Sequence, residues 1–241
     1  MTALRLLLTR PEPDALRTAA ALRDRAHQVL LAPLLHFAPV TDADLGAGPW
    51  AGLLMSSANA ARAMARHPRL RDLRPLPVLA VGDRSAEAAR AAGFANVASA
   101  MGDAGDLTRI VAGQFGGAGA RLLYLAGEDR AADLEAALGA HDIAVDTVVV
   151  YRMAAAEALP AETAAALSER WIDGVLHYSR RSAEIYLRCA AAAGLDAAAT
   201  VPAHYCLSAE VAAPLLAAGA AIVRIAPQPN EKSLLALVGN A

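Results

Sequence analysis

Ten short apolar runs alternate with alanine-rich stretches of helical length, and this alternation limits the folds open to the chain more than any other feature. The runs are "LRLLLTR" (4–10), "QVLLAP" (28–33), "GLLMSS" (52–57), "PVLAVG" (77–82), "ANVASA" (95–100), "RLLYLAG" (121–127), "DTVVVY" (146–151), "GVLHYS" (174–179), "HYCLS" (204–208) and "AIVRIA" (221–226). Strands that are apolar throughout, rather than at every second residue, are buried on both faces. They therefore predict parallel sheets covered by helices. Ten strands exceed what one compact sheet usually holds, so two five-stranded α/β units are the natural division of 241 residues.

An internal repeat supports two like halves. "GLLMSSANAARAM" from residue 52 resembles "GVLHYSRRSAEIY" from residue 174, an offset of 122 (174 − 52). "VLAVGDRSAEAARAAGFANVASA" resembles "HYCLSAEVAAPLLAAGAAIVRIA", and the opening 4–33 resembles the segment from residue 120 with an offset near 116 (120 − 4). The halves could lie in tandem, split near residue 118. They could equally be interleaved, the chain leaving the first after residue 33 and returning near residue 152, with "LLHFAPV" (34–40) and "VVYRMAA" (149–155) as a crossing pair. Periodicity does not choose between these.

Several function classes are excluded. Net charge is −2, which gives no field suited to nucleic acid or an anionic membrane. No run of about 18 clean apolar residues predicts a membrane span, and the opening "MTALRLLLTRPEPDALR" has no secretory pattern, so a cytoplasmic protein is expected. Cys189 and Cys206 sit in apolar surroundings without CxxC spacing and read as packing residues. The six histidines show no metal-ligand spacing, and no P-loop, dinucleotide fingerprint or nucleophile elbow is present. An enzyme of this make-up is expected to use no metal, nucleotide or covalent nucleophile.

Parallel sheets bind ligands at the carboxyl ends of their strands, where helix N-termini offer free N–H groups. The turns there read Thr9-Arg10, Ser56-Ser57, Arg84-Ser85, Gly127-Glu128-Asp129-Arg130, Ser179-Arg180-Arg181 and Ser208-Ala209-Glu210. Each serine taken singly reads first as a helix cap. The arginines do not, because the helix dipole disfavours a cation at that end. Arginines set against the dipole predict an anion between them. Lys232 is the only lysine, so anion binding falls to arginine forks, amides and hydroxyls. One further stretch stands out: "VVVYRM" (148–153) ends an apolar strand on Tyr151, a packing ring or a proton donor.

The ordered motifs "LLLTRPEPDA", "LLHFAP", "LLMSSANAARA", "LAVGDRSAEAARAAGF", "GDAGDL", "LYLAGEDR", "VVVYRM", "LHYSRRSAE", "CLSAEVAAPLLAAG" and "PQPNEKSLLALV" resemble the uroporphyrinogen-III synthase family over the whole chain. The resemblance implies two similar doubly wound, flavodoxin-like α/β domains, interleaved and joined by a two-stranded connector. It selects residues 1–35 plus 154–241 as the first domain, 41–147 as the second, and 36–40 with 148–153 as the linker. It implies cyclisation and dehydration of hydroxymethylbilane to uroporphyrinogen III with ring D inverted, in haem, chlorophyll and cobalamin biosynthesis, by a hydro-lyase without cofactor or metal. Tyr151 takes the place of the family's candidate proton donor. Arg10, Ser56, Ser57, Arg84, Ser85, Gly127, Arg130, Ser179 and Ser208 become the expected substrate-binding set. Val211 stands where the family often has a hydroxyl. Expected partners are the tetrapyrrole substrate and product and a transient contact with the bilane-forming enzyme; a monomer is expected. The competing readings are a two-lobed module that binds an anionic ligand without catalysis, and a nucleotide-sugar transferase, which wants a longer chain and metal-binding carboxylates.

Overall fold

The computed structural model describes residues 2–117, 119–130 and 132–238. Along the chain come β1 (Arg5–Leu8), α1 (Asp14–Arg23), β2 (Gln28–Leu31), β3 (Leu35–Pro39), β4 (Gly52–Met55), α2 (Ala58–Met64), α3 (Leu70–Leu73) and β5 (Val78–Ala80). There follow α4 (Asp83–Ala91), β6 (Val97–Ser99), α5 (Ala104–Phe115), β7 (Arg121–Gly127), α6 (Leu134–Gly139) and β8 (Ala144–Ala155). The remainder is α7 (Ala161–Ser168), β9 (Gly174–His177), α8 (Arg180–Ala192), α9 (Asp196–Ala199), β10 (Ala203–Cys206), α10 (Ala209–Ala217), β11 (Val223–Ile225) and α11 (Glu231–Val238). Among the described residues no helix is long and apolar enough to cross a membrane.

Two compact units result: Met1–His36 with Ala154–Ala241, and Phe37–Met153. Unit 1 holds a five-stranded sheet in the order β11-β10-β9-β1-β2, every pair parallel. Unit 2 holds the order β3-β8-β7-β4-β5-β6, parallel from β8 to β6. Its sixth strand is β3, at the edge beside β8. Val40 N–H donates to Val150 C=O and Ala156 N–H to Leu34 C=O, so β3 and β8 run antiparallel.

The central strands are buried along their whole length, as apolar runs between two helical layers must be: β4 "GLLM" and β9 "GVLH" expose nothing. In unit 1, Leu6, Leu8, Leu176 and Tyr205 pack under α1 and α11 through Ala15, Ala19, Leu22, Leu234 and Leu235. The helices form because these apolar positions recur at three- and four-residue spacing on one face. Pro13 precedes α1 and Asp14 opens its first turn, where an acid complements the dipole. The opposite face of this sheet contains an unusual pair. His177 and His204, on adjacent strands and fully buried, share one hydrogen bond, Nε2···Nδ1 at 3.1 Å. Among the described residues the outer nitrogen of His177 has no hydrogen-bond partner. Burial holds both rings neutral, with His204 pushed down to about 4.

Each unit also has a clamp at the amino edge of its sheet. In unit 1, Arg5 donates to both Asp173 oxygens (2.9 and 2.6 Å) and its guanidinium lies over Trp171. In unit 2, Arg121 pairs with both oxygens of Asp146, which also accepts from Trp50 Nε1 at 2.7 Å. The Arg5 hydrogen bond holds the Asp173 carboxyl below its ordinary range. Such paired forks fix the strand starts and leave the other edge free to vary.

Candidate functional site

In a doubly wound sheet the ligand site lies where the chain, having wound outward one way, returns to wind the other. In unit 2 that point is between β4 and β7. Ser56, just past β4, and Tyr124 on β7 meet there, hydroxyl to hydroxyl at 2.6 Å. Burial pushes the Tyr124 phenol up, against the pull of the Ser56 hydrogen bond, so it stays protonated. Nothing in the run "RLLYLAG" marks Tyr124 as more than a strand residue; the pairing of β4 with β7 reveals it.

Tyr151 stands one strand further on. The sequence reads it as a strand end, but β8 continues to Ala155. A bulge makes this possible: Ala126 pairs with Val149 and Gly127 with Tyr151, so β8 carries an extra residue there and bends without ending. Glu128 N–H donates to Tyr151 C=O beyond the bulge at 3.1 Å. A Cβ on Gly127 would lie 2.6 Å from Tyr151 Cζ and 2.7 Å from its hydroxyl. Gly127 thus makes room for the phenol ring, a role distinct from touching a ligand. The ring packs in the unit 2 core and against Phe37, with centroids 5.9 Å apart, and is 9 % exposed. Among the described residues no hydrogen bond is made by its hydroxyl.

The return point of unit 1 lies between β1 and β9. Thr9 Oγ1 donates to Leu176 C=O at 3.0 Å and ties the two strand ends together. Arg10 follows. Its Nη1 donates to Glu231 (2.8 Å) and to Thr18 Oγ1 (2.9 Å), its Nη2 to Asp14 (2.9 Å), and its guanidinium lies 4.1 Å from the centre of the Tyr178 ring. Tyr178 OH donates to Glu231 at 3.3 Å, and Thr18 Oγ1 to the same carboxylate. Burial pushes the Tyr178 phenol up to about 12. Tyr178 and Glu231 were not singled out by sequence, because their meeting depends on strand order.

The remaining predicted residues stand at helix starts. Ser57 caps α2 by accepting from Asn59 N–H, Ser179 caps α8 from Ser182 N–H, and Ser208 caps α10 from Val211 N–H. Ser85 is buried in the first turn of α4, whose cap is Gly82. Val211 is buried in α10. Arg84 stands beside Ser85 on the same turn. Arg130, on an exposed turn, reaches Glu135 at 3.4 Å, and Arg180 reaches Glu184 at 2.8 Å. Beside Arg10, Arg130 and Arg180 the anion is thus a carboxylate of the chain itself. Among the described residues no group of three or more His, Cys, Asp or Glu is placed to hold a metal ion.

With two winding sheets, a buried phenol at a bulge and capped turns at both carboxyl edges, comparison with known proteins is informative. No curated protein matches this sequence. Among solved structures, the uroporphyrinogen-III synthetase of Helicobacter pylori is similar over 98 % of this chain and 99 % of that one, with a TM-score of 0.63 at 17 % identity. A mutant uroporphyrinogen III synthase of Thermus thermophilus is similar over 99 % and 97 %, with a TM-score of 0.50 at 17 % identity. These likenesses establish the fold. The family model described as uroporphyrinogen-III synthase HemD matches residues 17–236, nearly the whole chain. The chain belongs to the uroporphyrinogen-III synthase family, whose members serve tetrapyrrole biosynthesis.

Proposed function

We propose that this chain closes hydroxymethylbilane, a linear tetrapyrrole, to uroporphyrinogen III with inversion of ring D, as a cyclising hydro-lyase working as a cytoplasmic monomer. The observation that carries this reading is Tyr151, whose ring is fixed by the bulge and by the absent side chain of Gly127. In the proposed step the phenol gives its proton to the terminal hydroxyl of the bilane. The carbon–oxygen bond breaks with its electrons on oxygen, water leaves, and an azafulvenium cation remains. Ring D attacks through its substituted carbon to give a spiro intermediate. Fragmentation and reclosure invert that ring, and the proton lost at rearomatisation restores the phenol. The net change is loss of one water.

The substrate's eight carboxylates suit the donors that edge both sheets: the capped N-termini with Ser57, Ser179 and Ser208, the hydroxyls of Ser56 and Ser85, and the guanidinium groups of Arg10, Arg84 and Arg130. Holding the bilane in one near-attack shape matters as much as acid catalysis, because unaided closure gives the uninverted isomer. The test is incubation with enzymatically generated hydroxymethylbilane and separation of the products. The expected outcome is predominantly uroporphyrinogen III. Formation of uroporphyrinogen I alone, at the uncatalysed rate, would reduce the chain to an anion-binding module.

A further inference from the structure

The cluster at the return point of unit 1 has the make-up of a carboxylate receptor. Three donors from three parts of the fold converge on one carboxylate, that of Glu231: Arg10 Nη1 from the turn after β1, Thr18 Oγ1 from α1, and Tyr178 OH from the turn after β9. The guanidinium is stacked on the Tyr178 ring and steered by Asp14 through its other nitrogen. A planar fork, two hydroxyls and an aromatic plate are the groups by which proteins recognise carboxylates with directional hydrogen bonds. The donors lie deep and the acceptor does not: the Arg10 side chain is 15 % exposed and that of Glu231 is 43 %. Glu231 is also the first residue of α11, where one side chain can swing away without breaking a helical hydrogen bond.

We infer that Glu231 is a stand-in, occupying a subsite at the β1/β9 return point that receives one carboxylate of the substrate when the bilane binds. This rests on the reading of the substrate as a polycarboxylate. The subsite is one-sided. By strand register, unit 2 has Ala126 where unit 1 has Arg10, and Ser56 where unit 1 has Tyr178, so the equivalent positions there carry neither the guanidinium nor the phenol. The stand-in occupies Arg10 Nη1 and the two hydroxyls while the site is empty, Asp14 holding the other nitrogen, and it lowers apparent affinity by competing for the same donors.

Two measurements test this. Glu231→Ala removes the competitor, and the KM for hydroxymethylbilane is expected to fall by about three- to tenfold, with kcat little changed. Glu231→Gln, which keeps the size and loses the charge, is expected to shift KM the same way by less, and carries the test should the alanine variant fold poorly. The second measurement needs no turnover. Acetate should refill the vacated subsite, raising the melting temperature of Glu231→Ala above that in chloride at equal ionic strength, while the wild type shows no acetate-specific rise. An unchanged or raised KM in both variants, or the absence of acetate rescue, overturns the inference and leaves Glu231 as a clasp on α11. Failure of the wild type to form the III isomer would strike the proposed reaction instead, and the acetate measurement would still decide the subsite.

Discussion

Unit 1, followed from β9, runs β9, β10, β11, β1, β2; unit 2 runs β4, β5, β6, β7, β8. Both wind in the spatial order 3-2-1-4-5. The correspondence extends to single residues. Gly52 pairs with Leu122 as Gly174 pairs with Leu6, and Leu122 pairs with Val145 as Leu6 pairs with Val29. Val78 pairs with Val97 as His204 pairs with Val223. The units are thus circular permutations of one sheet. At the amino edge each has an Arg–Asp clamp beside a tryptophan, built differently on equivalent arginines: Arg5 takes Asp173, just before β9, whereas Arg121 takes Asp146, within β8 on the other side, with Trp171 and Trp50 alongside. At the carboxyl edge they have parted. Unit 1 gathers charge around Arg10, whereas unit 2 gathers neutral hydroxyls, Ser56, Tyr124 and Tyr151. The sheet and its register are shared, whereas the side chains at both edges differ beyond the common arginine. In the proposed division of labour, unit 1 grips carboxylate and unit 2 supplies the proton.

The largest effect should come from the unit 2 side of this contrast. Tyr151→Phe keeps the ring beside Gly127 and removes only the donor. A rate loss of roughly 10²-fold with near-native melting is expected, with uroporphyrinogen I rising as unprocessed bilane closes by itself. A wild-type rate with pure III isomer would return Tyr151 to packing and break the assignment of chemistry to unit 2.

Acid should separate the units next. By register, Met55 and Val78 of unit 2 stand where unit 1 has His177 and His204. The folded His204 titrates at about 4, below its ordinary value near 6.5. Above that ordinary value both states are neutral and pH has no effect through this group. Between about 6.5 and 4 the unfolded chain takes up protons that the folded one refuses. Stability therefore falls with pH by up to about 1.4 kcal/mol per unit per histidine, and levels off below the folded value. Trp171 reports on unit 1 and Trp50 on unit 2, so single-tryptophan variants can follow urea unfolding of each at pH 7 and pH 5. Unit 1 should lose midpoint and unit 2 should not. The double change His177→Met and His204→Val, borrowing the unit 2 residues, should flatten the dependence; a slope that survives it would place acid sensitivity elsewhere.

The smallest effect concerns what the units share. Ser57→Ala and Ser179→Ala remove caps at equivalent positions, and each should cost about 1 kcal/mol. Chemical denaturation checks whether the two losses match. A much greater functional than structural loss at one of them would mark that hydroxyl as a ligand contact.

The parallel sheets were legible in the sequence because strands like "GLLM" and "GVLH", apolar throughout, have few other homes. The permuted correspondence showed in the repeat offsets, which match 4–33 with the segment from 120 and 52 with 174, but the choice of interleaved over tandem did not, since each strand and helix keeps its local pattern whichever neighbour it joins. The pairing of Leu6 with Gly174 is set by tertiary packing, and no window of sequence contains it. The same gap explains the site. Ser57, Ser179 and Ser208 could be read as caps from their place after an apolar run. The bulge at Tyr151 could not, because the glycine that accommodates it sits on the neighbouring strand. Nor could the donors around Glu231 be seen together, since Arg10 and Thr18 lie near the start of the chain and Tyr178 and Glu231 far along it.

The permutation also sets the order of manufacture. A ribosome delivers β1, α1 and β2 first, and they cannot complete their sheet until β9 emerges, after all of unit 2. Joining ends across so long an intervening segment would cost about 4 kcal/mol of chain entropy were it a flexible loop. It is a folded body instead. Its antiparallel stem, β3 against β8, brings Ala156 N–H to within 2.9 Å of the Leu34 carbonyl. Once the inserted unit has folded, the nascent chain re-enters unit 1 beside the strands that have been waiting for it. An insert whose ends are held side by side by this stem removes most of that closure cost.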